Sequence, residues 1–338
     1  MRKRTVWLLA ACLLLISAAA RAEIPCVWTG VEKIMAVGDL HGDYDAFTAI
    51  LIGTGVVDRE LHWAAGETHL VQIGDIMDRG PNARAIFDLL RRLEIEAEAA
   101  GGRVHVLIGN HEMMNISGIS FDYPEYVTAE QFRSFLPEDY IKEKENEALR
   151  RRGDGRTEIS AEERRALWAE ILQNDPEGRR QYLKFFRRQY GQWIADLNTV
   201  IKINDTVFVH GGISPAYSLW SLEKINDTVR RELRLVMKNG MFQPQVLYAR
   251  EGPLWYRDLA LQDEALFEDE VDGILANLQA RHIVIGHTVL RVPTATAMRR
   301  FGGKVWAIDT GISAYYQGPL SALLIEAGCY QVWRVNDE

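Results

Sequence analysis

The sequence predicts an α/β protein in which two β-sheets pack as a sandwich flanked by helices, with a helical insertion. Three observations support this prediction. Between residues 34 and 108, short apolar runs alternate with helical periodicity, which is the order of a layered α/β fold. A charge-rich segment with few β-formers follows over about residues 120–190. From residue 199 onward, short β-forming runs return.

The first half of the predicted core consists of three strands and two helices. Strands are predicted at residues 34–37, 70–73 and 104–108, where apolar side chains form short runs. Residues 44–51 and 82–100 instead carry apolar side chains at helical spacing, which predicts one amphipathic helix after each of the first two strands.

The second half returns to strands after the charged segment. We expect residues 120–190 to form helices over the core with a solvated, charged face, and a cap that contributes to substrate specificity is the alternative. Residues 199–203 and 206–210 flank Asn204-Asp205 and predict a hairpin with a two-residue turn. Helices at 217–239 and 268–280, with strands at 283–285, 304–308 and 321–325, complete the predicted elements. No repeat or linker divides residues 23–338, so one domain is expected.

The first 22 residues have the three-part pattern of a secretory signal peptide. Basic residues 2–4 precede an apolar run over 6–16, and residues 20–22 offer a small-x-small cleavage site before Glu23. The apolar run is short of the ~20 residues of a membrane-spanning helix. A lipoprotein box at residues 9–12 would leave too short an apolar region. We therefore expect a bacterial protein that is periplasmic or secreted and has no stable membrane insertion after cleavage.

Charge and cysteine content narrow the function classes. The formal net charge is −8, and cleavage after residue 22 would remove four basic residues and no acidic one, leaving −12. Such an acidic surface argues against nucleic-acid binding, which needs a basic footprint. Cys26 and Cys329 lie near the two ends of the mature chain and could form a disulfide in an oxidising compartment. Two unrelated thiols, with Cys329 in a buried strand, are the alternative.

Five short glycine-containing motifs fall where predicted strands end. They are residues 38–42 (GDLHG), 74–80 (GDIMDRG), 109–112 (GNHE), 210–212 (HGG) and 286–288 (GHT). Ligands of layered α/β folds bind at the carboxyl ends of strands, so these motifs are expected to converge. Each motif alone is most often a turn or a polar core residue. Five in order, with complementary side chains, indicate a functional site.

The side chains in these motifs indicate a pair of metal ions. The predicted ligands are Asp39, His41, Asp75, Asn110, His210 and His287. Carboxylate, imidazole and amide groups without a thiolate favour divalent or trivalent Mn, Fe or Zn. Six ligands exceed what one open catalytic ion needs, but they suit two ions that share a carboxylate.

The motifs resemble the phosphoprotein phosphatase branch of the calcineurin-like metallophosphoesterases over about residues 34–313. Residues 210–215 and 252–257 are most similar to the Shewanella-like bacterial protein phosphatases. The resemblance implies that Asp39 and His41 bind the first ion, that Asp75 bridges, and that the remaining three ligands bind the second ion. Asp309 is expected to support the site structurally.

The resemblance also implies a mechanism of direct in-line attack by a metal-bridging hydroxide. It assigns His111 as the general acid and Asp78 as the acceptor from its other ring nitrogen. Arg79 and Arg257 are implied to bind phosphate oxygens. The histidines at 62, 69, 105 and 282 lie outside the motifs, and no catalytic role is predicted for them.

The resemblance implies a metal-dependent phosphomonoesterase, with phosphotyrosine or phosphoserine/threonine proteins or a small phosphoester as substrate. No cysteine precedes an arginine at the spacing of a thiolate-dependent tyrosine phosphatase, which excludes that mechanism. A dinucleoside polyphosphate hydrolase and a non-catalytic phosphoprotein-binding module remain alternatives. The sequence leaves the oligomeric state open.

Overall fold

Eleven strands lie in the part of the chain that the computed structural model describes, which is residues 24–335 without 154–155, 241–244 and 291–293. The predicted signal peptide falls outside these residues. The strands are β1 (Val27–Trp28), β2 (Lys33–Val37), β3 (His69–Gln72), β4 (Arg103–Val106), β5 (Val200–Ile203), β6 (Thr206–Val209), β7 (His282–Ile285), β8 (Arg299–Arg300), β9 (Val305–Ala307), β10 (Ser321–Glu326) and β11 (Cys329–Arg334).

Thirteen α-helices accompany these strands within the same described ranges. They are α1 (Tyr44–Gly53), α2 (Ala83–Ala99), α3 (Asn110–Ser117), α4 (Ala129–Ser134), α5 (Glu138–Arg152), α6 (Ala161–Asn174), α7 (Pro176–Phe186), α8 (Gln192–Asp196), α9 (Pro215–Ser218), α10 (Leu222–Asn239), α11 (Asp258–Leu261), α12 (Glu264–Leu278) and α13 (Ala295–Met298). Short 3₁₀ turns occupy Ile119–Asp122 and Phe301–Gly303, and a π-helical turn occupies Arg187–Gly191. None of the helices among the described residues is both long and apolar enough to cross a membrane.

The strands form two mixed sheets. A six-stranded sheet has the order β1-β5-β6-β7-β9-β8, and a five-stranded sheet has the order β11-β10-β2-β3-β4. The alternation of side chains along β2 explains why the sheets stack. Ile34 and Ala36 join the core that β2 shares with the six-stranded sheet, whereas Met35 and Val37 pack toward the helices. The predicted two-sheet α/β architecture is confirmed.

Most predicted elements are confirmed, and the exceptions have local causes. The predicted hairpin is formed by β5 and β6, and Asn204 at its turn has φ 56°, a left-handed value that asparagine tolerates. The short strands β1 and β8, two residues each, were not predicted because they are too short for a periodic pattern. Helix α3 was also missed, since its first residues belong to the GNHE motif.

Residues 120–190 are helical, as predicted, but they are not only an outer layer. Phe132, Tyr182 and Phe186 from this segment are fully buried and pack on Phe87 and Phe135 or on one another. The charged side chains lie mainly on α5 and α6, whose buried positions are few. The segment therefore contributes an aromatic core beneath α3, which carries part of the predicted site.

Both cysteines of the described chain are free thiols. Cys26 is buried and Cys329 is exposed at the start of β11. The disulfide expected as one alternative is therefore not formed. The alternative prediction of two unrelated thiols is correct for this structure. Its placement of Cys329 in a buried position is wrong, because β11 is the outermost strand of its sheet.

Candidate metal centre

The five motifs meet at the carboxyl ends of strands from both sheets. Asp39, Asp75 and Asn110 follow β2, β3 and β4, which are parallel neighbours in the five-stranded sheet. His210 and His287 follow β6 and β7, which are parallel neighbours in the other sheet. Parallel strands present their carboxyl ends at one edge. The predicted convergence is therefore observed, with one group of predicted ligands from each sheet.

Asp75 lies at the centre of the cluster. Its Oδ2 is 3.9 Å from His41 Nε2, and its Oδ1 is 3.3 Å from His210 Nε2. Two sets of donor atoms, each lying within 4.8 Å of one another, share this carboxylate. They are His41, Asp75 and His111, and Asp75, His210 and His287. An aspartate common to two donor sets is the arrangement required for a bridging ligand.

Asn110 and Asp39 complete the predicted ligands. Asn110 Oδ1 is 2.9 Å from His210 Nε2, which places the amide oxygen in the second donor set. Asp39 accepts the backbone N–H of His287 at 3.0 Å and lies 4.0 Å from His210 Nδ1. The set that contains His41 includes His111 rather than Asp39. The assignment of Asp39 to the first ion therefore stays a prediction.

Hydrogen bonds fix the tautomers of two predicted histidine ligands. His41 Nδ1 is 3.0 Å from the carbonyl oxygen of Met77, and His210 Nδ1 is 3.1 Å from that of Ile73. A carbonyl oxygen can only accept, so Nδ1 carries the proton and the lone pair of Nε2 faces the centre. Burial and then the nearby imidazole of His111 lower the pKa of His41 to about 3, which keeps it neutral. These imidazoles are suited to bind cations.

The buried carboxylates indicate that the centre needs positive charge. Burial, then the charges of Asp309 and Asp75, raise the pKa of Asp39 well above its ordinary value. Burial likewise raises the pKa of Asp309 to about 6. Among the described residues, Asp309 Oδ2 and His287 Nε2 are buried polar atoms without a hydrogen-bond partner. A pair of bound cations would satisfy both the charge and these donor atoms.

His111 and Asp78 form a buried pair beside this cluster. His111 Nδ1 lies 2.7 Å from Asp78 Oδ2, while its Nε2 faces Asp75 Oδ2 at 3.8 Å. Burial alone would lower the pKa of His111, but the carboxylates of Asp75 and Asp78 outweigh it and raise that pKa. The pair is therefore able to keep His111 protonated, as a general acid requires.

The helical segment holds Asp78 in place. Gln131 Nε2 and Asn115 Nδ2 each donate to Asp78 Oδ1 at 2.9 Å. Ser120 Oγ donates to Oδ2 at 3.2 Å. Tyr182 of α7 donates in turn to Asn115 Oδ1 at 2.7 Å. Four residues outside the recognised motifs thus orient one motif carboxylate.

The two predicted phosphate-binding arginines are placed differently. Arg79 Nη1 is 2.9 Å from His41 Nε2, at the edge of the cluster. Arg257 is exposed, and its Nη1 donates to the carbonyl oxygen of His287 at 2.9 Å and to Thr288 Oγ1 at 3.0 Å. Arg257 therefore braces the loop that carries a predicted ligand. Whether it also contacts phosphate stays a prediction.

Glu112 is a site residue to which sequence reasoning gave no role. It is fully buried, and its carboxylate accepts four backbone N–H groups. The donors, at 2.8–3.1 Å, are Asp75, Ile76, Met77 and Gly109. Glu112 is the third residue of α3, so the sequence did carry a signal, because a glutamate at that position often caps the helix start.

Two motif glycines are required by close approach to carboxylates. A Cβ added to Gly109 would collide with Asp75 Oδ1, and one added to Gly286 would collide with Asp39 Oδ1. These glycines therefore allow backbone from one strand end to lie against a ligand from another. The motif pattern follows from this packing and not from turn formation alone.

The buried thiol takes no part in this centre. Cys26 packs in the core between the sheets and lies 3.5 Å from Glu223. Burial and then the charge of Glu223 raise the pKa of the Cys26 thiol to about 12. A thiolate at this position is strongly disfavoured, in agreement with the sequence-based exclusion of thiolate catalysis.

Comparisons with known proteins agree with this geometry. The family model of calcineurin-like phosphoesterases matches residues 32–291. An uncharacterized protein of Schizosaccharomyces pombe is 30% identical over 300 residues, which cover 86% of this chain and 76% of that protein. Shewanella-like protein phosphatase 2 of Arabidopsis thaliana is 28% identical over 281 residues, covering 76% of this chain and 66% of its relative.

A solved structure shows the same fold. The cold-active protein-tyrosine phosphatase of a psychrophilic Shewanella species superposes with a TM-score of 0.67 at 29% identity. The superposition covers 93% of this chain and 83% of that one. Because the family model spans most of the chain, this protein belongs to the calcineurin-like phosphoesterases and is a metal-dependent phosphoesterase hydrolase.

Proposed function

We propose that this chain is a protein phosphatase that prefers phosphotyrosine, with phosphoserine and phosphothreonine as slower substrates. The observation that carries this proposal is an aromatic wall around Arg79. The guanidinium carbon of Arg79 lies 5.1 Å from the ring centre of Tyr126, 5.5 Å from that of Tyr315 and 5.0 Å from that of Tyr316. Similarity to a protein-tyrosine phosphatase supports the same substrate class.

The aromatic wall also borders the proposed catalytic groups. The ring of Tyr126 lies 4.7 Å from that of His111, and the ring of Tyr316 lies 5.5 Å from that of His41. A phosphate bound by Arg79 would therefore direct its ester substituent toward aromatic side chains. A phenyl group fits such a surface by offset or edge-to-face packing, whereas a serine methylene offers little contact area.

Different side chains of the site have different roles in the proposed reaction. When bound, the two cations would neutralise phosphate charge and lower the pKa of a water molecule. Arg79 would hold phosphate oxygens with its planar, permanently charged group. His111, kept cationic by Asp78, would donate the Nε2 proton to the leaving oxygen. No side chain of the site needs to form a covalent phosphate ester.

A pair of matched phosphopeptides tests the substrate proposal. The peptides share one sequence and differ only in phosphotyrosine or phosphoserine, and kcat/KM is measured for the metal-loaded protein. We expect the phosphotyrosine peptide to be preferred, and a Tyr126→Leu variant to lose that preference without losing metal. Equal kcat/KM for both peptides would remove the proposed preference. A faster reaction with a dinucleoside tetraphosphate would favour the nucleotide hydrolase instead.

The metals are proposed to be Mn, Fe or Zn. The neutral imidazoles, carboxylates and amide oxygen that converge here support this set, since soft copper(I) would require thiolate or thioether ligands. Elemental analysis of the purified protein, with reconstitution by each ion after chelation, identifies the active pair. Activity restored fully by Mg²⁺ alone would contradict the proposal.

Export is proposed from the amino-terminal sequence alone. Basic residues 2–4, the apolar run over residues 6–16 and the cleavage site at residues 20–22 support it. Mass spectrometry of the mature chain after bacterial fractionation tests it. A periplasmic or secreted product that begins at Glu23 is expected, and an uncleaved cytosolic product would contradict it.

A further inference from the structure

We propose that a basic groove on the helical segment binds an acidic stretch of the phosphoprotein substrate, away from the phosphorylated residue. The groove has a volume of about 640 Å³ and is lined by both ends of the α6–α7 connection and one face of α7. Four of its eight lining residues are basic and none is acidic. The four are Arg179, Arg180, Lys184 and Arg187. This inference rests on the proposed protein phosphatase function.

The positive charge of the groove is largely uncompensated. Arg179 donates to the carbonyl oxygens of Leu172 and Gln173, and Arg187 donates to that of Ile116. Carbonyl groups orient these guanidinium groups without neutralising them. Within the described ranges of the chain, no carboxylate lies within 4.0 Å of Arg179, Lys184 or Arg187; Arg180 pairs with Glu177.

The charge of the groove is opposite in sign to that of the whole chain, whose net charge is −8. Of the two acidic residues nearest in sequence, Glu177 pairs with Arg180, and Asp175 lines a different cavity and accepts a hydrogen bond from Tyr140. Two of the four cations, Arg180 and Lys184, lie on the exposed face of α7, where they are accessible to a partner. An acidic peptide is the complementary ligand, because carboxylates pair with guanidinium and ammonium groups.

A second cavity lies between the groove and residues that contact the metal centre. A neighbouring cavity of about 370 Å³ shares Gln173 and Arg179 with the groove. Its other walls include Ser120, which donates to Asp78, and Tyr123, which stacks at 4.7 Å on the Tyr126 ring beside His111. The proposed peptide would run from the aromatic wall past Tyr123 and the second cavity to the basic groove.

This path assigns a function to the helical segment. The segment would select substrates by the charge of residues distant from the phosphate, while the metal centre cleaves the ester. Contacts that are equally strong in the substrate complex and in the transition state lower KM without changing kcat. The groove is therefore expected to act on KM for long acidic peptides and to leave small substrates unaffected.

The test compares two matched series of phosphotyrosine peptides and two charge-reversed variants. The peptides differ only in a flanking stretch of glutamate or of glutamine, placed at increasing separations from the phosphotyrosine on either side. The groove variant is Arg180→Glu/Lys184→Glu, which changes exposed residues only. The matched control is Arg231→Glu/Lys238→Glu on α10, which makes the same charge change outside both cavities.

In the wild type we expect a lower KM for the glutamate peptide, and a preference that weakens as salt rises. The groove variant should raise KM for that peptide about tenfold at unchanged kcat. The glutamine peptide and para-nitrophenyl phosphate should be unaffected. No glutamate preference in the wild type, a preference that survives in the groove variant, or an equal loss in the control would each overturn the inference.

Failure of the proposed function gives a different result. If the chain is not a protein phosphatase, it would hydrolyse para-nitrophenyl phosphate but would hydrolyse neither the glutamate nor the glutamine phosphopeptides. The groove is then tested directly by fluorescence anisotropy with the unphosphorylated glutamate peptide and metal-loaded protein. Binding that the groove variant abolishes and the control retains would support the acidic-peptide site, and absence of binding would overturn it.

Discussion

Replacing Asp78 by asparagine should slow catalysis because it removes the charge that supports His111. The 2.7 Å contact between His111 Nδ1 and Asp78 Oδ2 is a buried, charge-assisted hydrogen bond. Such bonds contribute about 1.5–3 kcal/mol, which corresponds to a loss of about 10- to 150-fold in rate. We expect a loss in this range for substrates whose leaving group needs a proton.

The structure explains why asparagine is the informative substitution. Asp78 has φ 68°, a left-handed value that asparagine tolerates and alanine does not. The asparagine oxygen can stay where Asn115 and Gln131 donate to Oδ1, so its NH₂ group would face His111 Nδ1. That nitrogen must then accept a hydrogen bond, which disfavours the cationic imidazole. The backbone should remain in place while the acid is weakened.

The assay measures kcat/KM for Asp78→Asn over a series of aryl phosphates with increasing leaving-group pKa. The loss should be small for activated phenolates and should grow as the leaving group becomes more basic. Asp75 and Asp78 raise the pKa of His111, so removing Asp78 should lower it. An acid must be protonated to act, and the alkaline limb of the pH–rate profile should therefore move to lower pH.

A double-mutant cycle separates this role from general damage. His111→Asn alone should lose about 10²–10⁴-fold and keep its metal content. If Asp78 acts through His111, adding Asp78→Asn to that variant should cause little further loss. Multiplied losses in the double variant, or an equal loss for every leaving group, would refute the reasoning.

Three further predictions concern cations and pH. Asp75→Asn should weaken binding at both metal sites, and calorimetric titration that still finds two ions at full strength would rule out the bridge. Arg79→Asn should tighten cation binding, because Arg79 Nη1 lies 2.9 Å from the His41 lone pair; an unchanged Kd would contradict this competition, while KM for phosphate esters should rise. Burial and then Arg103 lower the pKa of His69 from 6.5 to about 4. As pH falls from about 6.5 to about 4, the His69 imidazole is protonated in the unfolded chain before it is protonated in the folded one. The folded state therefore loses stability over this range, and Tm should fall by roughly 2–5 °C. His69→Gln should flatten that dependence in thermal melts, and identical slopes would contradict it.

Much of the fold could be predicted because periodicity and turn chemistry agree. The runs at residues 34–37 and 283–285, which became β2 and β7, are continuous and apolar, as strands buried on both faces require. Helix α10 has buried positions along one face, and the pattern predicted its end at residue 239; its start was placed five residues early, because Ser221 caps α10 and residues 215–218 form the separate helix α9. The aromatic core of residues 120–190 could not be predicted, because Phe132 and Tyr182 meet across long sequence separations.

The identity of the site was more predictable than its supporting contacts. The six predicted ligand positions lie in short motifs because each must occupy a place near a strand end beside a glycine. Gln131, Ser120 and Tyr182 have no motif, since they reach Asp78 directly or through Asn115 from helical and 3₁₀ segments folded from elsewhere in the chain. Only tertiary packing reveals such partners, and a single sequence contains no separate signal for them.

The backbone of the site explains why its glycines and carboxylates belong together. Five of the eleven described non-glycine residues with positive φ lie here, namely His41, Asp75, Asp78, Arg79 and His287. Each such conformation costs on the order of 1 kcal/mol and needs compensation. In the turn after β3, the Glu112 carboxylate compensates by accepting the backbone N–H groups of residues 75–77. In the loop after β7, the Asp39 carboxylate compensates by accepting the backbone N–H of His287. The close approaches at Gly109 and Gly286 bring the strand ends against two predicted ligand carboxylates, Asp75 and Asp39. The same acidic groups therefore shape the strained turns and concentrate the negative charge that attracts cations.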